Sequence, residues 1–195
     1  MSGNVTVVDP SNSTAAGVNS RNQLNVAATS EPQEVVEALN GGAFIITTGS
    51  VNLTSANLSM LIYIKNTEDI SWVLNGISGT FGATNGTGDS TAQFTINPTA
   101  GTLISAGTDL NPANLNFGSS KSLGGVFKLG GEAFTITNGL AAAPALVPEG
   151  VSVRAFPARP VIIAPGSGLA VGITPPTGNT SMNIQIQLPI HREIA

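Results

Sequence analysis

The stretch Met182-Asn183-Ile184-Gln185-Ile186-Gln187-Leu188 decides the fold class, because apolar and polar residues alternate along it with a period of two. Successive side chains of a β-strand point to opposite faces, so the pattern places the apolar residues on one face and the amides on the other. It predicts a strand that covers a core with one face and meets solvent with the other.

Further strands are predicted along most of the chain that precedes this stretch. Residues 91–96 alternate as cleanly, so Ala92, Phe94 and Ile96 are expected to face the core. Gly, Pro and Asn turns separate these short runs, which predicts roughly nine to eleven strands in an all-β antiparallel sandwich or barrel. The other candidates are the apolar or alternating runs at 43–48, 58–64, 71–77, 133–137, 151–155, 161–163 and 169–173.

One short α-helix is predicted between the N-terminal region and the first strand. Ser30-Glu31-Pro32-Gln33 fits a capping box, and Asn40-Gly41-Gly42 tolerates the left-handed backbone that ends a helix. Residues 1–29 hold few large apolar side chains, so we expect an extended arm that is ordered by a partner. The sandwich domain is expected to span residues 30–195, with residues 110–131 mostly loop.

The composition favours a protein that is covered by neighbours rather than a free monomer. Only 9% of the residues are charged while 41% are hydrophobic, and the mean hydropathy is +0.24. So few charges give little repulsion between copies, which predicts a homo-oligomer, most simply a trimer. Seven basic residues, scattered in a chain of net charge −4, predict no nucleic-acid partner. Because no apolar run is long enough to span a bilayer, no membrane partner is expected.

The sequence offers little catalytic chemistry. There is no Cys, and the single His, His191, is expected to be an exposed tail residue or an interface contact. One histidine cannot form a metal cage, so no metal or cofactor is predicted. No pair of carboxylates has a spacing that predicts a glycosidase site. The acids considered are Glu68 and Asp69, and those at 31, 34 and 37 on the predicted helix. We therefore predict a protein without catalytic residues that is not an enzyme.

Three further features have plain structural interpretations. Asn85-Gly86-Thr87-Gly88-Asp89 resembles a calcium turn but occurs once, where Asn-Gly favours a tight turn. Gly118-Ser119-Ser120-Lys121-Ser122 lacks the phosphate-loop pattern. Trp72 and Tyr63 could form a small sugar platform, but both lie in apolar strand patterns and are expected to pack in the core.

Two stretches, less than a third of the chain together, resemble known virion proteins. Val5 to Ala27, with Ala16-Gly17-Val18-Asn19-Ser20-Arg21-Asn22-Gln23-Leu24-Asn25-Val26, resembles the N-terminal segment of many tailed-bacteriophage virion proteins. Ile163 to Val171, followed by Pro175 to Gln185, resembles the last two strands of jelly-roll decoration or cement proteins. The resemblance implies a jelly-roll sandwich, often trimeric, that binds the assembled head without chemistry.

The sequence therefore favours a capsid decoration subunit that is located on the virion surface and binds the major capsid protein. An alternative is a tail or adhesion module that binds host glycans through its Ser-, Thr- and Asn-rich loops. A cupin-type enzyme would need clustered histidines, which one His does not supply.

Overall fold

The computed structural model describes residues 33–142, 145–148, 150, 152–155 and 160–193, and within them the chain forms an antiparallel β-sandwich. The predicted all-β class is confirmed. The chain passes repeatedly between an eight-stranded sheet, here sheet one, and a seven-stranded sheet, here sheet two. Sheet one contains β1 (Ala43–Thr47), β2 (Val51–Leu53), β4 (Trp72–Leu74), β5 (Ile77–Phe81), β8 (Ala113–Asn114), β12 (Ser152–Ala155), β13 (Val161–Ile163) and β15 (Met182–Arg192). Sheet two contains β3 (Ser59–Asn66), β6 (Ser90–Ile96), β7 (Thr108–Asp109), β9 (Gly125–Leu129), β10 (Leu140–Ala141), β11 (Ala145–Val147) and β14 (Gly168–Thr174). The helices are α1 (Gln33–Leu39) and α2 (Thr102–Ala106).

Sheet one is organised around β15, which is 11 residues long and pairs with two strands along each side. β1 and β2 lie along one side of it, and β4 and β5 along the other. Its even-numbered side chains from Met182 to Ile190 are buried, as the alternation predicts. The strand is therefore the common partner that sets the register of the four strands beside it.

Pro189 lies inside this central strand, although a proline cannot donate to a ladder. The Ile186 carbonyl accepts from Thr48 on the β1 side, and the Asn183 carbonyl accepts from Gly82 on the β5 side. Odd-numbered residues of β15 thus present their backbone groups toward β4 and β5. Pro189 falls between the residues paired with β5, which end at Gln187, and those paired with β4, which begin at Ile190. The missing donor therefore faces the break between two partner strands.

A β-bulge in β3 determines which side chains leave the core on the outer face of sheet two. The pairing of β14 with β3 shifts between Val171 and Gly172, so Leu61 is an extra residue. The shift puts Met60 on the same outer face as Tyr63, while Ile62 stays in the core. Both outer residues join a second apolar cluster, which is covered by Leu103 of α2.

The main core fills the space between the two sheets. It combines inward side chains of β15 with apolar residues of β3, β6 and β14. At one end, Trp72 of sheet one stacks on Phe127 of sheet two, with ring centroids 5.7 Å apart and planes inclined by 15°. This contact joins the two sheets directly, and the prediction that Trp72 packs in the core is correct.

Several local predictions were wrong, each for a physical reason. Residues 110–131, by contrast, are mostly loop as predicted, because β8 and β9 occupy only a minority of their positions. Residues 133–137 form no strand: Ala133 has a φ of 63°, and Phe134 and Ile136 cover the outer cluster. Ile96 is 40% exposed, because it ends β6 at the rim of the sandwich, where it lines a small apolar cavity. The short runs also divide into 15 strands within the described residues, more than the roughly nine to eleven expected.

The helix predictions were half right. α1 begins at Gln33 and is followed by Asn40 and Gly41, with Gly41 at a φ of 70°, as expected. α2 was missed, since a helix of five residues is too short to show a periodic pattern. Neither helix of the described residues is long and apolar enough to cross a membrane. The predicted N-terminal arm, residues 1–29, lies outside the described residues.

Gly125 provides the first test of the packing between the sheets. A Cβ at this position would lie 2.5 Å from Trp72 Cη2 and 2.8 Å from Phe127 Cζ. Gly125→Ala should therefore lower the free energy of unfolding by about 1–3 kcal/mol, as overpacked sites do. Gly131→Ala is the matched control, because no atom lies within 4 Å of its Cβ position. Denaturant unfolding of both variants checks this, and equal losses would contradict the stacking geometry.

Candidate functional site

A polar cluster around Glu68 closes the end of the core where Trp72 stacks. Glu68 accepts hydrogen bonds from Trp72 Nε1 at 2.9 Å, from the Gly124 amide at 2.8 Å and from Arg192 Nε at 2.9 Å. A second bond from Arg192 Nη2 makes the pair bidentate, and the same nitrogen donates to the Ser122 carbonyl. One carboxylate thus ties the β3–β4 loop, β4, the residues before β9 and the end of β15 together.

This cluster perturbs the pKa of both partners. Burial by itself would raise the pKa of Glu68, but hydrogen bonds from Arg192, Trp72 and Gly124 and the charge of Arg192 outweigh it, so the pKa lies below its usual range. The hydrogen bond that Arg192 donates to Glu68 raises the pKa of Arg192 against the opposing effect of burial. The guanidinium also lies 5.3 Å from the centroid of the Phe44 ring. Because both groups are held by internal partners, we interpret the cluster as structural.

A cavity on the outer face of sheet two offers a different environment. Its volume is about 360 Å³, within the usual range for small-molecule sites. Tyr63 and Lys65, two residues apart on β3, project from the same face of the strand. Val126 of β9 and Ile104 of α2 supply apolar lining, and the walls are residues 97–99 and the turn 166–168.

Several polar side chains of this outer cavity are donors without internal acceptors. Tyr63 is only 4% exposed, burial raises its pKa, and its hydroxyl makes no hydrogen bond within the described residues. Lys65 is exposed and takes no part in the ion pairs of the described residues. Asn97 Oδ1 accepts from the Gly168 amide at 2.9 Å, which leaves its Nδ2 as a donor toward the cavity. Tyr63 was expected to pack in the core, and it is buried in the outer cluster.

Two further cavities have less to offer. The larger, about 550 Å³, lies between β9 and the residues around Leu110, where Lys128 already pairs with Asp109 at 2.6 Å. The smaller, about 90 Å³, is lined entirely by apolar side chains such as Leu74 and Phe94. The lysine of the larger cavity is therefore already paired, and the smaller cavity presents no polar side chain among its described lining residues.

His191 is not an exposed tail residue, so that prediction was wrong. It is 4% exposed and lies within β15, opposite Ala43 of β1 and Val73 of β4. Asn75 Nδ2 lies 3.2 Å from its Nδ1, which makes Nδ1 the acceptor in this pair. The prediction missed this because the alternation of β15 was followed only as far as Leu188. A histidine held inside a sheet in this way is a structural residue.

The other sequence candidates are mostly separated from one another. Asn85-Gly86 does not form a hairpin between β5 and β6, since these strands belong to different sheets; Asn85 instead bonds Thr180 through its side chain. Glu37 lies on α1 and is buried, and its charge contributes to raising the pKa of Arg192, so it lies near the Glu68 cluster. Asp69 is exposed. Within the described ranges, no group of three or more His, Asp or Glu side chains could hold a metal ion.

An apolar surface lies beside the end of α1. Asn116 Nδ2 donates to the Leu39 carbonyl at 2.9 Å, and the Leu115 amide donates to Ala43 at 2.9 Å, so the loop after β8 is fastened to the helix. Leu39 is 68% exposed, Leu115 42% and Phe117 96%. We call these three residues the loop patch. The fixed loop holds its apolar side chains in solvent rather than against the core.

Comparison of the chain with protein-family models, with curated proteins and with solved structures found no match. Function is therefore argued from the fold, the loop patch and the outer cavity.

Glu68 provides a test of the polar cluster. Glu68→Gln should lower the free energy of unfolding at neutral pH by roughly 1–3 kcal/mol, because it leaves a partly buried guanidinium without its charge partner. Because the pKa of Glu68 is lower in the folded state than the reference value of 4.5 for the unfolded state, ionised Glu68 stabilises the fold at pH values above 4.5. This stabilisation is lost as the pH falls through the folded-state pKa. The difference between the wild type and the variant should therefore shrink in acid. The matched control is Asp69→Asn, which removes an exposed neighbouring charge. Thermal unfolding is measured over a pH series, and the same behaviour in both variants would contradict a stabilising role for Glu68.

Proposed function

We propose that this protein is a bacteriophage virion subunit that decorates the assembled head, where it binds the major capsid protein and stabilises the shell. The observation that carries the proposal is the loop patch, whose Phe117 is 96% exposed on a fastened loop. Large side chains held in water in this way are typical of surfaces that become buried on association.

The rest of the fold supports an assembly role. A charged fraction of 9% leaves the surface with few repulsive groups. Two polar pairs within the sandwich, Glu68 with Arg192 and Asn75 with His191, are held by internal partners. The sequence resemblance to decoration proteins points in the same direction.

Such a subunit acts by mass action rather than by chemistry. It binds the assembled lattice better than free capsid subunits, so occupancy shifts the equilibrium toward the intact shell. The stabilisation at each binding site grows as the logarithm of the ratio of free subunit concentration to Kd. It is about 2.7 kcal/mol when that concentration is a hundred times Kd. Many such sites on a shell would add to a large total stabilisation.

The loop patch makes the proposal testable by one substitution. Phe117→Ser should leave thermal unfolding nearly unchanged, because substitutions at exposed sites usually alter stability by under about 0.5 kcal/mol. It should weaken attachment to undecorated heads by about tenfold or more, as the loss of an aromatic anchor does. Co-sedimentation of wild-type and variant protein with heads measures this.

The control is Ile162→Ser on β13, which removes another exposed apolar side chain, 53% exposed, from a different element. If both variants attach as well as the wild type, the loop patch does not bind the head. If wild-type protein itself fails to attach, the decoration function is wrong.

We further propose that the protein is a homo-oligomer, most simply a trimer, because its surface carries so few charges. Light scattering coupled to size-exclusion chromatography should give the mass of a trimer at micromolar concentration. A mass that stays at 19.6 kDa, that of one chain, would contradict the proposal.

A second candidate function is a tail or adhesion module that binds host glycans. The outer cavity favours it, because it places unpaired donors beside apolar lining in a space of about 360 Å³. A glycan array probed with the purified protein tests this candidate independently of head attachment.

A further inference from the structure

The outer cavity combines one positive charge with several hydrogen-bond donors. Lys65 contributes an ammonium group, Tyr63 a hydroxyl and Asn97 an amide Nδ2, and no carboxylate is among the described residues that line the cavity. Ser167, which precedes Gly168 in the turn, adds a hydroxyl. A ligand that satisfies these groups must therefore supply acceptors and a negative charge.

The donors are also held in place, which distinguishes the cavity from a mobile surface patch. The ring of Tyr63 is fixed by the outer cluster. It packs closely against the backbone of Gly168 in β14, where an added Cβ atom would lie 3.3 Å from the Tyr63 hydroxyl. The Asn97 side chain is fixed by its bond to the Gly168 amide, and its backbone is held at a φ of 50°. Two of the donors therefore need little further ordering to bind a ligand.

The apolar lining narrows the class of ligand. Ile104 and Val126 present aliphatic surface next to the donors. A sugar ring has an apolar face and a polar edge, so it could contact both at once, whereas an inorganic anion could contact only the donors. The Tyr63 ring itself is too deeply buried, at 4% exposure, to act as a stacking platform.

We propose that the outer cavity binds a sugar residue that carries a carboxylate, such as a uronic acid. The carboxylate pairs with Lys65, and the ring hydroxyls and ring oxygen accept from Tyr63, Asn97 and Ser167. The charge interaction takes the place of aromatic stacking, in which this chain is poor. The proposal specifies the substrate class of the glycan-binding candidate and rests on it; it does not depend on head decoration.

The test uses the full chain labelled with a stable nitrogen isotope and follows the Gly168 amide signal by NMR during three titrations. Glucuronate provides charge and ring, glucose the ring alone, and acetate the charge alone. Glucuronate should shift the signal saturably and bind about tenfold or more tightly than either of the others, because only glucuronate makes both the charge-assisted hydrogen bond to Lys65 and the contacts of the ring.

The variants assign the contacts. Lys65→Gln should weaken glucuronate about tenfold and leave glucose unchanged, and Tyr63→Phe should weaken both sugars severalfold, because it removes only the hydroxyl. Lys128→Gln is the matched control: it removes a lysine that lies outside this cavity and should change neither.

Equal binding of glucuronate and glucose, or an unchanged glucuronate affinity in Lys65→Gln, would overturn the acidic-sugar assignment. No saturable shift with any of the three compounds would also overturn it. A positive glycan array together with an unshifted Gly168 signal would place glycan binding elsewhere on the protein. Failure of the cavity assignment can therefore be told apart from failure of the glycan-binding candidate.

Discussion

The pairing of β15 with four strands is the constraint on which the rest of the sandwich depends. β1 and β2 on one side and β4 and β5 on the other take their register from this one strand. Its inward side chains form one wall of the core, and its last residue, Arg192, reaches Glu68 at the end of that core. A slip of one residue would turn every inward side chain outward and separate that ion pair.

The sequence predicted what depends on local periodicity. The alternation of β15 and the residues that end α1, Asn40 and Gly41, act over a few positions, so they were identified correctly. The predicted capping box begins at Ser30, which lies outside the described residues. The bulge at Leu61 and the irregular path of residues 133–137 depend on partners far along the chain. Ala133–Thr137 has a strand pattern, yet it packs as an outer layer, because Met60 and Tyr63 already present an apolar surface there.

The candidate site was less predictable than the fold. The spacing of Tyr63 and Lys65 is a signal that could have been found, since two polar-tipped side chains two positions apart share one face of a strand. Asn97, Ile104 and Ser167 come from three other segments, and only the folded sheet brings them to that face. His191 was misplaced for a related reason: its neighbours Asn75 and Val73 are more than a hundred positions away in the chain.

The late position of β15 in the chain has a consequence for biosynthesis. Its partners β1, β2, β4 and β5 are all made long before it, and Ala43 finally pairs with His191. Closing such long loops makes folding slow, and strand edges that wait for a partner are open to pairing with other chains. Until β15 is released from the ribosome, sheet one lacks its central strand. We therefore expect nascent chains to rely on chaperones that cover unpaired edges, and expression at low temperature to improve the yield of soluble protein.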